Sequence, residues 1–181
     1  MKSILLLGST GMLGFGVLKS MIKYKNIKIS VTARSKKKIN NIKNKFPYNK
    51  IKKFHILDVN NATENSLNKL FVKYDYIINC IGIIKPEIDI SSASSIKNAI
   101  YINSIFPKLI SNTINDKKRI FQIATDCVFS GKKGKYNEES KHDDLEIYGV
   151  SKSLGEIKKK NFYNLRTSII GRELFTKKSL I

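Results

Sequence analysis

The sequence predicts an α/β chain folded around a doubly wound parallel sheet, with helices on both faces. Two observations predict it. Apolar runs of strand length alternate with stretches of helical periodicity along the whole chain, the pattern of a parallel sheet covered on both sides. The first run, SILLL at 3–7, is continuously apolar from Ile4 to Leu7, as a fully buried strand must be, and it leads directly into the glycine-rich GSTGMLG.

In order, strand 3–7 and the glycine turn precede a helix over about 11–24. A second strand spans 28–33 and a basic helix follows to about Lys45. A third strand spans 51–57 and ends at Asp58, a short helix covers 63–71, and a fourth strand 76–81. Apolar residues at Ile96, Ile100, Ile105, Leu109 and Ile110 predict one long amphipathic helix over 94–115, with a kink at Pro107. The fifth strand is 120–124; a polar loop over 126–146 leads to a helix over about 148–160, and 164–170 reads as a sixth strand. No repeat, low-complexity tract or linker divides the chain.

Composition narrows the function classes. At 181 residues, 41% hydrophobic and 27% charged, the chain is long enough for one domain with a full core. No apolar run reaches the roughly 18 residues of a membrane span, and the N-terminus lacks the pattern of a secretory leader, so a cytoplasmic protein with no membrane partner is expected. The formal charge of +20 would suit a polyanionic partner. Its lysines, however, are dispersed through almost every segment rather than gathered on one stripe, which argues against nucleic acid. Cys80 and Cys127 lie far apart, as do His55 and His142, so no metal site is expected and both thiols read as buried.

Gly8, Gly11 and Gly14 form GxxGxxG between a buried strand and a helix, where a diphosphate can approach the backbone and the helix N-terminus. Glycine triplets arise by chance; this position is what makes the motif a nucleotide site. Twenty residues beyond Gly14, where NAD-binding chains carry an acidic residue for the ribose, stands Arg34, with Ser35, Lys36 and Lys37 beside it. A guanidinium there pairs with a ribose phosphate, so NADP(H) is preferred over NAD(H), which stays possible. Asp58, at the end of the third strand, is placed to accept from the adenine amino group.

Tyr148 and Lys152 share a helix face, where an ammonium can stabilise a phenolate. Tyr24 with Lys28 and Tyr48 with Lys52 fit the same YxxxK spacing. Only Tyr148 opens a helix after the fifth strand, near the carboxyl edge of the sheet where ligands of such folds bind. Thr125, at the end of that strand, presents a hydroxyl able to hold a substrate oxygen against Tyr148.

Taken together, GSTGMLG from Gly8, INCIG through Gly82, Ile102 with Asn103, ATDCVFSGKKGKYNEES from Ala124, YGVSKSLGE from Tyr148 and LRTSIIG from Leu165 resemble the extended short-chain dehydrogenase/reductases. Within them, the chain is similar to the dTDP-4-dehydrorhamnose reductase-like branch. The resemblance implies an NAD(P)-binding Rossmann fold over 1–181, with Thr125, Tyr148 and Lys152 as catalytic triad and Asn103 supporting the lysine or a proton relay from the long helix. It implies a cofactor held by Gly8, Thr10, Gly11, Met12, Leu13, Gly14, Arg34, Asp58, Val59, Cys80, Ile81, Gly82, Tyr148 and Lys152, with Arg166 and Thr167 near the nicotinamide and substrate. The implied reaction is NADPH-dependent reduction of a 4-keto-6-deoxy sugar nucleotide, for surface polysaccharide. Dehydratases of the family carry an acidic residue where Cys127 stands, which favours reduction. A nucleotide-sugar 4-epimerase and a non-catalytic NADP-binding regulatory subunit remain open, as does a homodimer. Relatives continue into a small sugar-nucleotide-binding domain, so that domain is expected to be truncated, with 171–181 as its start.

Overall fold

The computed structural model describes residues 1–169, apart from 114 and 116. Six parallel strands form one sheet: β1 (Lys2–Leu7), β2 (Ile27–Ala33), β3 (Phe54–Ile56), β4 (Tyr76–Asn79), β5 (Arg119–Ala124) and β6 (Phe162–Arg166). Their spatial order is β3-β2-β1-β4-β5-β6, so the winding reverses between β1 and β4. That reversal opens a crevice at the carboxyl ends of these two strands.

Side chains of β1 alternate between the two faces, and each face meets its own helices. Leu5 and Leu7, with Ile77 and Ile120, pack on Leu67 and Phe71 of α3 (Glu64–Phe71) and on Phe106 and Ile110 of α5 (Phe106–Asn112). Leu6, with Ile29 and Val31, packs on Leu18 of α1 (Met12–Met21) and on Ile39 and Ile42 of α2 (Lys36–Lys43). Each fully buried leucine or isoleucine here contributes about 1.5–3 kcal/mol by leaving water. Ser35 caps α2 by accepting from the Lys38 N–H, and Thr63 and Ser66 form a reciprocal capping box at α3.

The long helix expected over 94–115 forms with a different interruption. α4 (Ala93–Ile100) passes into a π turn at Tyr101–Ile105 before α5 resumes, and Pro107 sits in the first turn of α5. Proline has no N–H, and in a regular helix its ring meets the carbonyl four residues back, that of Asn103. Widening the preceding turn resolves this: the Phe106 N–H bonds to the Tyr101 carbonyl, five residues back. The helix after the polar loop, α6 (Ile147–Leu154), is shorter than expected because Gly155 ends it. A Cβ on Gly155 would overlap the Asn103 carbonyl oxygen, so the end of α6 lies directly on the π turn. β6 begins two residues earlier than expected, and residue 170 lies outside the described residues. No helix among the described residues is long and apolar enough to cross a membrane.

Candidate active site

The crevice is a cleft of about 580 Å³ running from the end of β2 to the start of α6. Its floor is the glycine loop. Gly8 has φ +75°, a conformation that L side chains rarely adopt, and any Cβ there would lie 2.8 Å from Ile81 Cγ1. Gly14 is buried under the loop rather than in the cleft: a Cβ would overlap the Gly8 carbonyl oxygen and come within 2.8 Å of its carbon. The loop can therefore lie flat on the first turn of α1. Gly8, Thr10, Gly11, Met12 and Leu13 line the cleft, so the expected loop residues are there except Gly14, which shapes the loop from beneath.

At one end stand Arg34, exposed, and Lys38, with Asp58 and Val59 beside them. Lys38 escaped the sequence reading, which singled out Lys36 and Lys37; one turn of α2 brings Lys38 round to the cleft, and helical projection from the Ser35 cap would have found it. The Asp58 carboxylate accepts from the Asn60 N–H at 3.2 Å. Cys80, Ile81 and Gly82 form the middle of the wall.

Thr125, Tyr148 and Lys152 converge at the other end. Thr125 follows β5, accepting from the Cys127 N–H at 3.2 Å and donating to Asp126 Oδ1 at 3.4 Å, and it stands on the cleft with the Tyr148 phenol. Burial pushes the phenol above its ordinary value; the Thr125 hydroxyl works against this, and Cys127 and Asp126 add to the rise. Lys152, expected to lower the phenol, is not among the groups that shift it; desolvation is the largest influence. Lys152 is itself buried, donating from Nζ to the Ile123 carbonyl at 2.8 Å, and burial lowers it to about 8 against the attraction of Glu156. Cys80 is pushed up to about 12 by burial, so it stays a neutral thiol.

Asn103 ties the cleft wall to α6. Its Oδ1 accepts from the Ile83 N–H at 2.9 Å and its Nδ2 donates to the Ile83 carbonyl at 3.0 Å and to Ser151 Oγ at 3.1 Å. It thus pins the backbone after Gly82 to α6. A Cβ on Gly82 would lie 3.4 Å from Asn103 Oδ1 and 3.6 Å from Lys152 Nζ, which keeps that stretch of wall bare beside the lysine.

Thr167 lines the cleft and Arg166 stands behind it, its guanidinium bound to Glu156. Cys127, read as buried, is instead exposed on the cleft, because it falls in a short turn after β5 rather than in a strand. His142, read as isolated, lies 2.6 Å from Ser153 Oγ and 2.9 Å from an Arg166 nitrogen. Neither Tyr24, which is exposed beyond the end of α1, nor Lys28 or Lys52 lines the cleft, and the side chain of Tyr48 lies outside what the structure describes.

These residues fit a nicotinamide dinucleotide: the bare backbone at Gly8, Gly11 and Gly82 leaves room along one wall, cations stand at one end and a phenol–lysine pair at the other. A volume of this size is ordinary for a cofactor cleft.

The fold is shared with solved nucleotide-sugar enzymes. UDP-glucuronic acid 4-epimerase from Bacillus cereus, solved with NAD, superimposes with a TM-score of 0.70 at 20% identity over 84% of this chain and 49% of that one. dTDP-glucose 4,6-dehydratase from Bacillus anthracis gives 0.66 at 20% identity over 86% and 48%. ElxO with NADP bound gives 0.64 at 19% identity over 85% and 64%. The chain therefore spans about half the length of the sugar-nucleotide enzymes it resembles. No curated protein matches it in sequence. Residues 1–173 match the family model described as the RmlD substrate binding domain, and the chain belongs to that family.

Proposed function

We propose that this chain is the NADP(H)-binding part of a reductase acting on the C4 carbonyl of a 4-keto-6-deoxy sugar nucleotide, working in the cytoplasm. The observation that carries the reading is the meeting of Thr125, Tyr148 and Lys152 at one end of a cleft whose other end carries Arg34 and Lys38. The glycine loop would hold the cofactor diphosphate, Arg34 and Lys38 the ribose phosphate, and Asp58 with Val59 the adenosine. When bound, the dihydronicotinamide supplies the hydride that reduces the carbonyl carbon.

The chain's own residues handle the proton. Tyr148, kept as a phenol by burial, donates its proton to the carbonyl oxygen as that oxygen gains charge. The Thr125 hydroxyl, on the same stretch of the cleft as the phenol, orients the same oxygen. Lys152, mostly protonated at neutral pH, offsets the charge left on Tyr148. Asn103 keeps the wall at Ile83 fixed to α6, so that the three groups hold one geometry. Cys127 offers no carboxyl group for acid-catalysed loss of water, which supports reduction over dehydration.

Mixing a full-length version of the protein with NADPH and dTDP-4-dehydrorhamnose and following NADPH absorbance tests the reading. Turnover is expected, and Tyr148→Phe should retain NADPH binding while losing about 10²–10⁴-fold in rate. Binding without oxidation of NADPH by that full-length version would remove the substrate assignment.

A further inference from the structure

Two side chains fasten the C-terminal end of α6 to neighbouring strands. Lys152 Nζ reaches the Ile123 carbonyl of β5. One turn further on, Glu156, its side chain only 8% exposed, accepts two bonds from Arg166 of β6, from Nε at 2.9 Å and Nη2 at 2.7 Å. Arg166 pairs in register with Ala124, the residue after Ile123, so the two fastenings fall one rung apart on the β5–β6 ladder.

The guanidinium is held on every side. It lies 5.2 Å over the Phe129 ring, and its Nη2 lies 2.9 Å from His142 Nε2. A guanidinium can only donate, so Nε2 accepts and the His142 ring proton sits on Nδ1, donating to Ser153 Oγ. Shape alone does not call for this arrangement, since an apolar pair of similar volume often serves a buried position as well or better. What an apolar pair lacks is a carboxylate acting on Lys152.

Glu156 and, more weakly, Cys80 favour the charged form of Lys152, and the Arg166 guanidinium bound to Glu156 offsets part of the carboxylate's field. Cys80 at the end of β4 is a neutral thiol, Tyr148 on α6 is a phenol, and Asn103 and Ser151 carry no charge. Glu156 acts on Lys152 against its burial.

We propose that Glu156 is a positioning residue for the chemistry at Tyr148 and Lys152: clamped by Arg166, it fixes the end of α6 to β6 and holds a carboxylate charge on the lysine ammonium. The proposal rests on the reading of Tyr148 and Lys152 as the reacting pair. Its primary readout is the protonation of Lys152, which needs no turnover, so the two can fail separately.

The experiment is a nuclear magnetic resonance pH titration of protein labelled with ¹³C at the lysine ε-carbon, the Lys152 signal being the one missing from Lys152→Arg. In the unaltered protein the midpoint is expected at about 8. Glu156→Gln, which keeps side-chain length and an acceptor for Arg166, should move it lower, and the alkaline limb of NADPH oxidation should fall to lower pH with it. Arg166→Lys keeps both charges but loses the two-pronged bond, so its melting temperature should drop while the Lys152 midpoint stays. A folded Glu156→Gln protein with an unchanged or raised midpoint overturns the proposal. So does Arg166→Lys lowering the midpoint, which would assign the effect to the clamp's geometry; if Glu156→Gln does not fold, Arg166→Gln, which takes the cation off the carboxylate, should raise the midpoint, and an unchanged or lowered one overturns the proposal.

Discussion

Gly14 and Gly16 lie two residues apart in α1, and replacing each with alanine should have opposite effects. At Gly16 an added methyl meets nothing within 4 Å. Gly16→Ala should therefore return the ordinary helical advantage of alanine, about 0.5–1 kcal/mol of added stability. At Gly14 the same methyl overlaps the Gly8 carbonyl oxygen, with the Gly8 carbon at 2.8 Å and Ser9 Cα at 3.1 Å. Gly8 cannot retreat, because on its far side the space where a Cβ would stand is bounded by Ile81 Cγ1 at 2.8 Å and the Cys80 carbonyl carbon at 3.2 Å. The loop must rise off α1, and strain of this kind costs about 1–3 kcal/mol. That exceeds the propensity gain, so Gly14→Ala should lower stability and displace the backbone that would carry the diphosphate. Urea unfolding followed by circular dichroism gives the stabilities, and NADPH fluorescence gives binding; Gly14→Ala should weaken both and Gly16→Ala neither. Equal effects at the two positions, or a Gly14→Ala protein that binds NADPH as the parent does, would refute the packing argument.

Arg34→Ala should weaken NADPH binding about tenfold or more with little change for NADH, since a charge-assisted bond to the extra phosphate is what it removes; Lys38→Ala should repeat the bias more weakly, and competition binding of both nucleotides measures it. Lys152 is held at about 8 in the folded chain, below its ordinary range. Between about 8 and about 10.5 the unfolded chain binds the extra proton, so this residue makes stability rise with pH across that window and Lys152→Met should flatten the rise in urea titrations. Phe106→Ala removes a fully buried ring beside the π turn and should cost about 3–5 kcal/mol in the same assay.

The parts of the site that could be read in the sequence are those where one residue type answers a backbone demand. Gly8 must accept a positive φ and Gly14 must let the loop approach, so their glycines announce a loop of this shape. The choice of Tyr148 over Tyr24 needed only the element order, because Tyr148 opens α6 at the carboxyl edge while Tyr24 lies past the end of α1. What escaped depends on distant partners. Pro107 announced a disturbance, but whether the helix bends or widens is decided by how Asn103 and Gly155 pack together. Glu156, Arg166 and His142 stand far apart in the chain, and nothing in their spacing joins them before β6 and α6 are side by side. Cys127 looked like any apolar core position until the turn after β5 carried it to the surface.

Burial acts on Tyr148 and Lys152 in opposite directions, and the two effects together orient the chemistry. Desolvation disfavours charge, so it raises the phenol and lowers the ammonium. The lysine, assisted by Glu156, remains near about 8 and is mostly protonated at neutral pH, while the phenol keeps its proton. The cleft thus holds a proton to give and a cation to receive the charge that giving it creates, which is the state that reduction of a carbonyl begins from. Oxidation of an alcohol would begin from a phenolate, and the surroundings of Tyr148 oppose it: Asp126 and Cys127 both raise the phenol further, and only the Thr125 hydroxyl favours ionisation. In the proposed reaction, proton supply to the carbonyl oxygen is accordingly the step for which Tyr148 and Lys152 already hold their starting protonation states.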